Sequence, residues 1–122
     1  MNSAVFDTNI LIDCFNGHEP ARQLLLACED PIISVITWME VMVGIKTKEN
    51  ERKANAVLNE MTRIELQSPI IEQAVSIRRT HGLKLWDAII WATAQCVHAP
   101  LITRNHKDFP TKDPLIHIPY VI

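Results

Sequence analysis

Short apolar runs alternate with longer stretches of helical periodicity along the whole chain. This pattern predicts an α/β fold: a three-layer sandwich with a central, mostly parallel sheet flanked by helices. Two further observations agree. The 122 residues suffice for a single domain over 1–122 with an ordinary core. The stretch Lys84 to Val97, KLWDAIIWATAQCV, is apolar nearly all round, as a helix inside such a sandwich must be.

Ala4-Val5-Phe6 reads as a buried strand that stops at Asp7. A helix starts at Asn9 and ends near Asn16-Gly17. Pro20 opens a second helix with Leu24, Leu25 and Ala27 apolar, closed by Asp30-Pro31. Ile32-Ile33 is the next strand. Val35 to Ile45 then forms a helix whose only charge is Glu40, and Gly44 marks its end. Lys48 to Met61 is a more polar helix, with Ala54, Val57, Leu58 and Met61 at helical spacing. Ile64-Glu65-Leu66 alternates as a strand would. Ser68-Pro69 caps a helix over Ile70 to His81, stopped by Gly82. In the helix that follows, Leu85, Ala88, Ile89, Ala92 and Cys96 form an apolar stripe. Pro100-Leu101-Ile102 is a strand, Thr103 to Pro110 a turn, and Ile116-His117-Ile118 the last strand. Trp38 and Trp91 are assigned to the core.

Composition narrows the function classes. A net charge of −2 gives no global basic field for nucleic acid, so any such contact must use a local patch. Cys14, Cys28 and Cys96 are odd in number and far apart, which fits a reducing cytoplasm better than a disulfide scaffold. The opening MNSAVFDTNILID lacks a basic region and gains acids early, unlike a signal peptide, and no stretch predicts a membrane span. Three glycines cannot build a phosphate loop, and the five histidines pair with no Ser or Cys as a triad would require.

Four acids carry the chemistry. Singly, each has an ordinary explanation: Asp7 caps the helix at Asn9, Asp87 sits in a first turn where the helix dipole favours it, and Asp108 belongs to a solvated turn. Glu40 resists such a reading, because its apolar helix offers no cation. Together the four point elsewhere. Two lie at strand-to-helix junctions and a third follows the strand Pro100 to Ile102, and in a parallel sheet all such junctions open on one edge. Like charges gathered there call for a divalent cation, and oxygen ligands without His or Cys suit Mg²⁺ or Mn²⁺. Such ions drive phosphodiester hydrolysis. Thr8 and Asn9 would organise the turn at Asp7, and Thr103 would do the same opposite. Lys84 with Arg78, Arg79 and His81, and Arg104 with His106, Lys107 and Lys112, could hold the phosphates of a substrate, Arg104 foremost.

The opening VFDTNILID, the lone Glu40, the KLWDAIIWATA helix and the ending LITRNHKDF together resemble the PIN-domain family, and more narrowly its VapC-type toxin ribonucleases, over Val5 to Phe109. The resemblance implies a PIN-like sandwich and a metal-dependent endoribonuclease that cuts single-stranded RNA, leaving a 5′-phosphate and a 3′-hydroxyl. Asp7, Glu40 and Asp87 match the family's first three acids. Asn105 stands where some members carry the fourth, and Asp108 is then the nearest carboxylate. Asp7 and Asp87 would hold the ion, while Glu40 and Asp108 position water or a second ion. Trp86 occupies a position where a small residue or proline is common. The resemblance further implies a VapB-like antitoxin lying across the pocket, operator DNA bound only through that antitoxin, and a homodimer. The groove for it would be made by Val35 to Ile45 and Lys48 to Met61. Two rivals are a non-catalytic PIN scaffold and a phospho-acceptor receiver domain; the absence of Asp from Leu58 to Ser68 counts against the second.

Overall fold

A computed structural model describes residues 2–122. The elements are β1 (Ser3–Phe6), α1 (Thr8–Phe15), α2 (Glu19–Ala27), β2 (Asp30–Ser34), α3 (Val35–Val43), α4 (Lys48–Leu58), β3 (Thr62–Ile64), α5 (Ser68–His81), α6 (Leu85–Cys96), β4 (Leu101–Ile102) and β5 (Ile116–His117). The five strands form one sheet in the order β3-β2-β1-β4-β5, and every pair is parallel. The chain builds outward from β1 through β2 to β3, then crosses back to lay β4 on the other side of β1. The crevice where the strand order reverses therefore lies beyond the carboxyl ends of β1 and β4, the usual ligand position in such sheets.

Side chains of β1 alternate between the two faces. Val5 packs with Ile32, Leu101 and the apolar sides of α5 and α6, including Ile77, Ile90 and Trp91. Ala4 and Phe6 pack with Ile33, Ile102 and the inner sides of α1, α2 and α4, including Leu11, Ala21 and Leu58. Helix α3 straddles both layers, with Ile36 in the first cluster and Val41 in the second. Helix α6 is the most buried helix: every residue from Ala88 to Ala94 is buried. Its polar Thr93 is satisfied internally, donating its hydroxyl to the Ile89 carbonyl at 2.8 Å. Gly82 ends α5 at φ +71°, a left-handed cap that favours glycine.

Several boundaries and burial assignments differ from the sequence expectation. Strand β3 begins at Thr62 rather than Ile64, because Thr62 and Ile64 pair with Ile32 and Ser34 of β2. Leu66 is exposed beyond it. Asp30 and Pro31 open β2 instead of closing α2; β3 pairs only from Ile32 onward, so Pro31 has one neighbouring strand there. Leu85, placed in the buried stripe by periodicity, is 48% exposed, since the first turn of α6 projects past the sheet. Trp38 sits at the margin of the core: it is half-buried against the second cluster, with the Arg63 guanidinium 5.1 Å from its ring. Trp91 is buried between His81 and Phe109, with ring centroids at 5.1 and 6.3 Å.

An acidic cleft at the carboxyl edge of the sheet

Asp7 is the hinge between β1 and α1. Its backbone is extended, and its Oδ1 accepts from Thr8 N at 2.7 Å, so it does cap α1. Its other oxygen does different work. Oδ2 accepts from Thr103 Oγ1 at 2.7 Å and from Asn9 Nδ2 at 3.3 Å, which ties the end of β1 to the residue just past β4. Asp7 is 4% exposed. Burial pushes its carboxyl up to about 6, against the hydrogen bonds from Thr103 and Thr8; the charges of Asp87 and Glu40 push the same way.

Glu40, from the exposed side of α3, reaches across to α1, where Thr8 Oγ1 donates to its Oε1 at 2.7 Å and lies 3.2 Å from Thr37 Oγ1. Asp87, in the first turn of α6, is half-buried. Burial raises its carboxyl, the nearby charges of Asp108 and Glu40 raise it further, and Lys84 opposes them. Asp7, Thr8, Asn9, Glu40, Asp87, Arg104 and Asn105 line one open cleft of about 340 Å³, with Ile12 at its rim. Side chains from β1, α1, α3, α6 and the segment after β4 thus converge, as the alternating pattern implied.

The fourth position is shared. Asn105 lines the cleft; its backbone N–H donates to Thr103 Oγ1 at 3.0 Å and its Nδ2 donates to Asp108 Oδ2 at 3.0 Å. Asp108 N returns a bond to Asn105 Oδ1 at 3.2 Å. Asp108 stands behind Asn105, outside the cleft lining, with its charge still felt by Asp87. Lys84 precedes the first turn of α6, exposed, with no carboxylate within ion-pair distance among the described residues.

Arg104 has a partner within the fold. Its Nε and Nη2 donate to the two oxygens of Asp13 at 2.7 and 3.0 Å, and its backbone N–H donates to Asn9 Oδ1 at 3.1 Å. Tyr120 donates its hydroxyl to the same Asp13 at 2.7 Å, and His18 packs on the Tyr120 ring at 4.6 Å. The guanidinium fork is engaged by a buried carboxylate, so Arg104 serves first as an anchor. Asp13 and Tyr120 are the residues that sequence reasoning missed. Asp13 carried a signal: four positions after Asn9, it shares a helix face with it. Tyr120 carried none.

The donor set fits Mg²⁺ or Mn²⁺. It is all oxygen, and no ion pair among the described residues involves Asp7, Glu40, Asp87 or Asp108. No three His, Cys, Asp or Glu side chains among those residues are grouped closely enough to hold an ion on their own. Mg²⁺ takes one or two carboxylates together with water and substrate phosphate, and two carboxylates lining one cleft meet that smaller requirement.

Comparison with known proteins agrees with this geometry. A PIN domain family model matches residues 4–113. A toxin–antitoxin complex from Klebsiella pneumoniae contains a chain 48% identical, with a TM-score of 0.91 over 98% of this chain and 99% of that one. VapBC2 from Rickettsia felis, bound to a DNA fragment from its promoter, is 23% identical with a TM-score of 0.76, covering 93% of this chain and 95% of that one. FitAcB from Neisseria gonorrhoeae is 23% identical with a TM-score of 0.76 over 98% and 99% of the two chains. No curated protein sequence matches the chain. No helix among the described residues is long and apolar enough to cross a membrane.

Proposed function

Because the chain belongs to the PIN-domain family, we propose that it is the toxin of a toxin–antitoxin pair, acting as a Mg²⁺- or Mn²⁺-dependent endoribonuclease on single-stranded RNA. The observation that carries this reading is Asp7: a buried carboxyl facing Asp87 and Glu40, with no cation paired to any of the three. Folding has gathered negative charge that a bound cation would offset.

Asp7, just past β1, and Asp87, in α6, would hold the ion, since both line the same cleft. When bound, the ion polarises the phosphoryl group and makes water a better nucleophile. Glu40, oriented by Thr8, positions the attacking water and takes its proton. Asp108 supports the opposite side through Asn105. The new bond joins the water oxygen to phosphorus; the bond to the 3′-oxygen breaks, and that oxygen takes a proton from solvent water, giving a 5′-phosphate and a 3′-hydroxyl. A non-catalytic scaffold is the second reading, favoured only by Asn105, whose carboxamide is engaged by Asp108 at both ends.

The Klebsiella pneumoniae relative occurs in a toxin–antitoxin complex, which supports a protein antitoxin as partner here. The surface supports it too. An apolar groove of about 390 Å³ leaves the acidic cleft at Ile12 and passes Phe15 between α1, α3 and α4. Phe15 also borders a second groove of about 540 Å³, which includes Leu25, Leu26, Val57 and Met61. A VapB-like segment laid along this trough would cover the acids, an arginine serving as their counter-charge. Operator DNA would be contacted through that antitoxin, since this chain has no basic field. Exposed Met39, Val43, Leu85 and Trp86 are offered as the face of a homodimer.

The test is cleavage of single-stranded RNA by the purified chain in Mg²⁺. Loss of cutting in EDTA and in Asp7→Asn supports the enzyme; metal-independent or absent cutting supports the scaffold.

A further inference from the structure

The acidic cleft has a second exit besides the apolar one at Ile12. Asn9, Arg104 and Asn105 line both the cleft and an adjoining basin of about 370 Å³, whose outer wall adds His106, Lys107, Val121 and Ile122. The first exit is lined by Ile12, Phe15, Val41 and Ile45 together with Lys46 and Lys53, and it shares only Ile12 with the cleft; the second shares three residues with the cleft and sets His106 and Lys107 directly beside them.

The basin is held in place. The fork between Arg104 and buried Asp13, backed by Tyr120, fixes the start of the turn, and Arg104 N–H on Asn9 Oδ1 closes it onto α1. The reciprocal bonds between Asn105 and Asp108 fix its end. His106 and Lys107 lie between these anchors, exposed, so the ammonium of Lys107 and the imidazole of His106 stand on a fixed loop.

A strand entering a cleft lined by Asp7, Glu40 and Asp87 is repelled wherever its phosphates lack a counter-charge. We propose that the basin of Arg104, His106 and Lys107 is a phosphodiester-backbone subsite that binds the one or two linkages on one side of the scissile bond. It rests on the nuclease reading above and specifies the strand path, which that reading leaves open. The subsite is sequence-blind, because it offers charge to the backbone and leaves the bases to the rim.

The test uses the whole chain and a labelled single-stranded RNA of about twelve nucleotides. Lys107→Ala, alone and with His106→Ala, should raise KM about tenfold while kcat stays within twofold, because the charge removed attracts the strand equally in the ground and transition states. The plot of log KM against log salt should flatten by about 0.7 for each phosphate that is no longer neutralised. Neutral methylphosphonate linkages, scanned through the substrate, should weaken binding on one side of the cut only, and that one-sided loss should vanish in the double variant. A wild-type chain that cuts RNA, with KM, salt slope and methylphosphonate profile unmoved in the double variant, overturns the subsite alone. A wild-type chain that neither binds nor cuts single-stranded RNA overturns the nuclease reading and the subsite with it.

Discussion

Thr103 Oγ1 donates to Asp7 Oδ2 at 2.7 Å, across ninety-six positions of sequence. The bond is possible because β1 and β4 are neighbours in register, Phe6 beside Ile102, so the residues that follow them emerge together. Thr103 is fully buried and also receives Asn105 N–H, so one hydroxyl joins the first acid to the turn that completes the cleft.

Asp7→Asn should stabilise the metal-free protein at neutral pH while abolishing cleavage. The folded carboxyl titrates near 6 against 3.8 unfolded, so the folded state binds more protons between those values and stability falls as pH rises through them. The full cost is about 3 kcal/mol at pH 7.5. Asn escapes it but turns an amide toward Thr103, leaving a net gain of about 1 kcal/mol, or roughly 4 °C in Tm. Thermal melts in EDTA at pH 5 and 7.5 check this: the gain should shrink at pH 5. Mg²⁺ should raise Tm of the wild type and not of the variant.

Arg104→Ala should destabilise the fold by about 2–3 kcal/mol, because it leaves Asp13 buried without its cation; the partial exposure of Arg104 keeps the cost below that of a fully buried pair. Tyr120→Phe should cost about 1–2 kcal/mol, removing one bond to a charged acceptor. Burial alone would raise the Asp13 carboxyl, but the bonds from Arg104 and Tyr120 hold it below its ordinary value. Its stabilisation is therefore present above the unfolded value and lost as pH falls through the folded one. Urea melts at pH 7 and pH 3 read both effects; equal costs at the two pH values would contradict them.

Thr8→Val should lower activity about tenfold with Tm nearly unchanged. It removes the hydroxyl that orients Glu40, and such supporting bonds around a metal site are worth 10–100-fold, roughly. Mg²⁺ titration followed by initial rates is the check; full activity would mean that Glu40 needs no orientation.

Trp91→Ala should cost about 3–5 kcal/mol, and Trp86→Ala less than about 0.5 kcal/mol in monomer stability. The two lie five residues apart in one helix, at 4% and 54% exposure. Denaturant midpoints of the two variants decide it.

Sequence alone determined the order of strands and helices, since each element carries its own period and its own stops. It also marked Asp7, Glu40 and Asp87, because a charge inside an apolar stretch shows in the sequence wherever the stretch ends up. The edge of β3, the exposure of Leu85 and the half-burial of Trp38 were not legible. Each depends on which neighbour a segment meets, and local periodicity does not encode neighbours. The same holds for the engagement of Asp13 by Arg104 and Tyr120, whose sequence separations of 91 and 107 residues place the partners beyond any pattern in the chain. Tertiary structure decided those pairings, because a buried carboxylate must find its counter-charge in space.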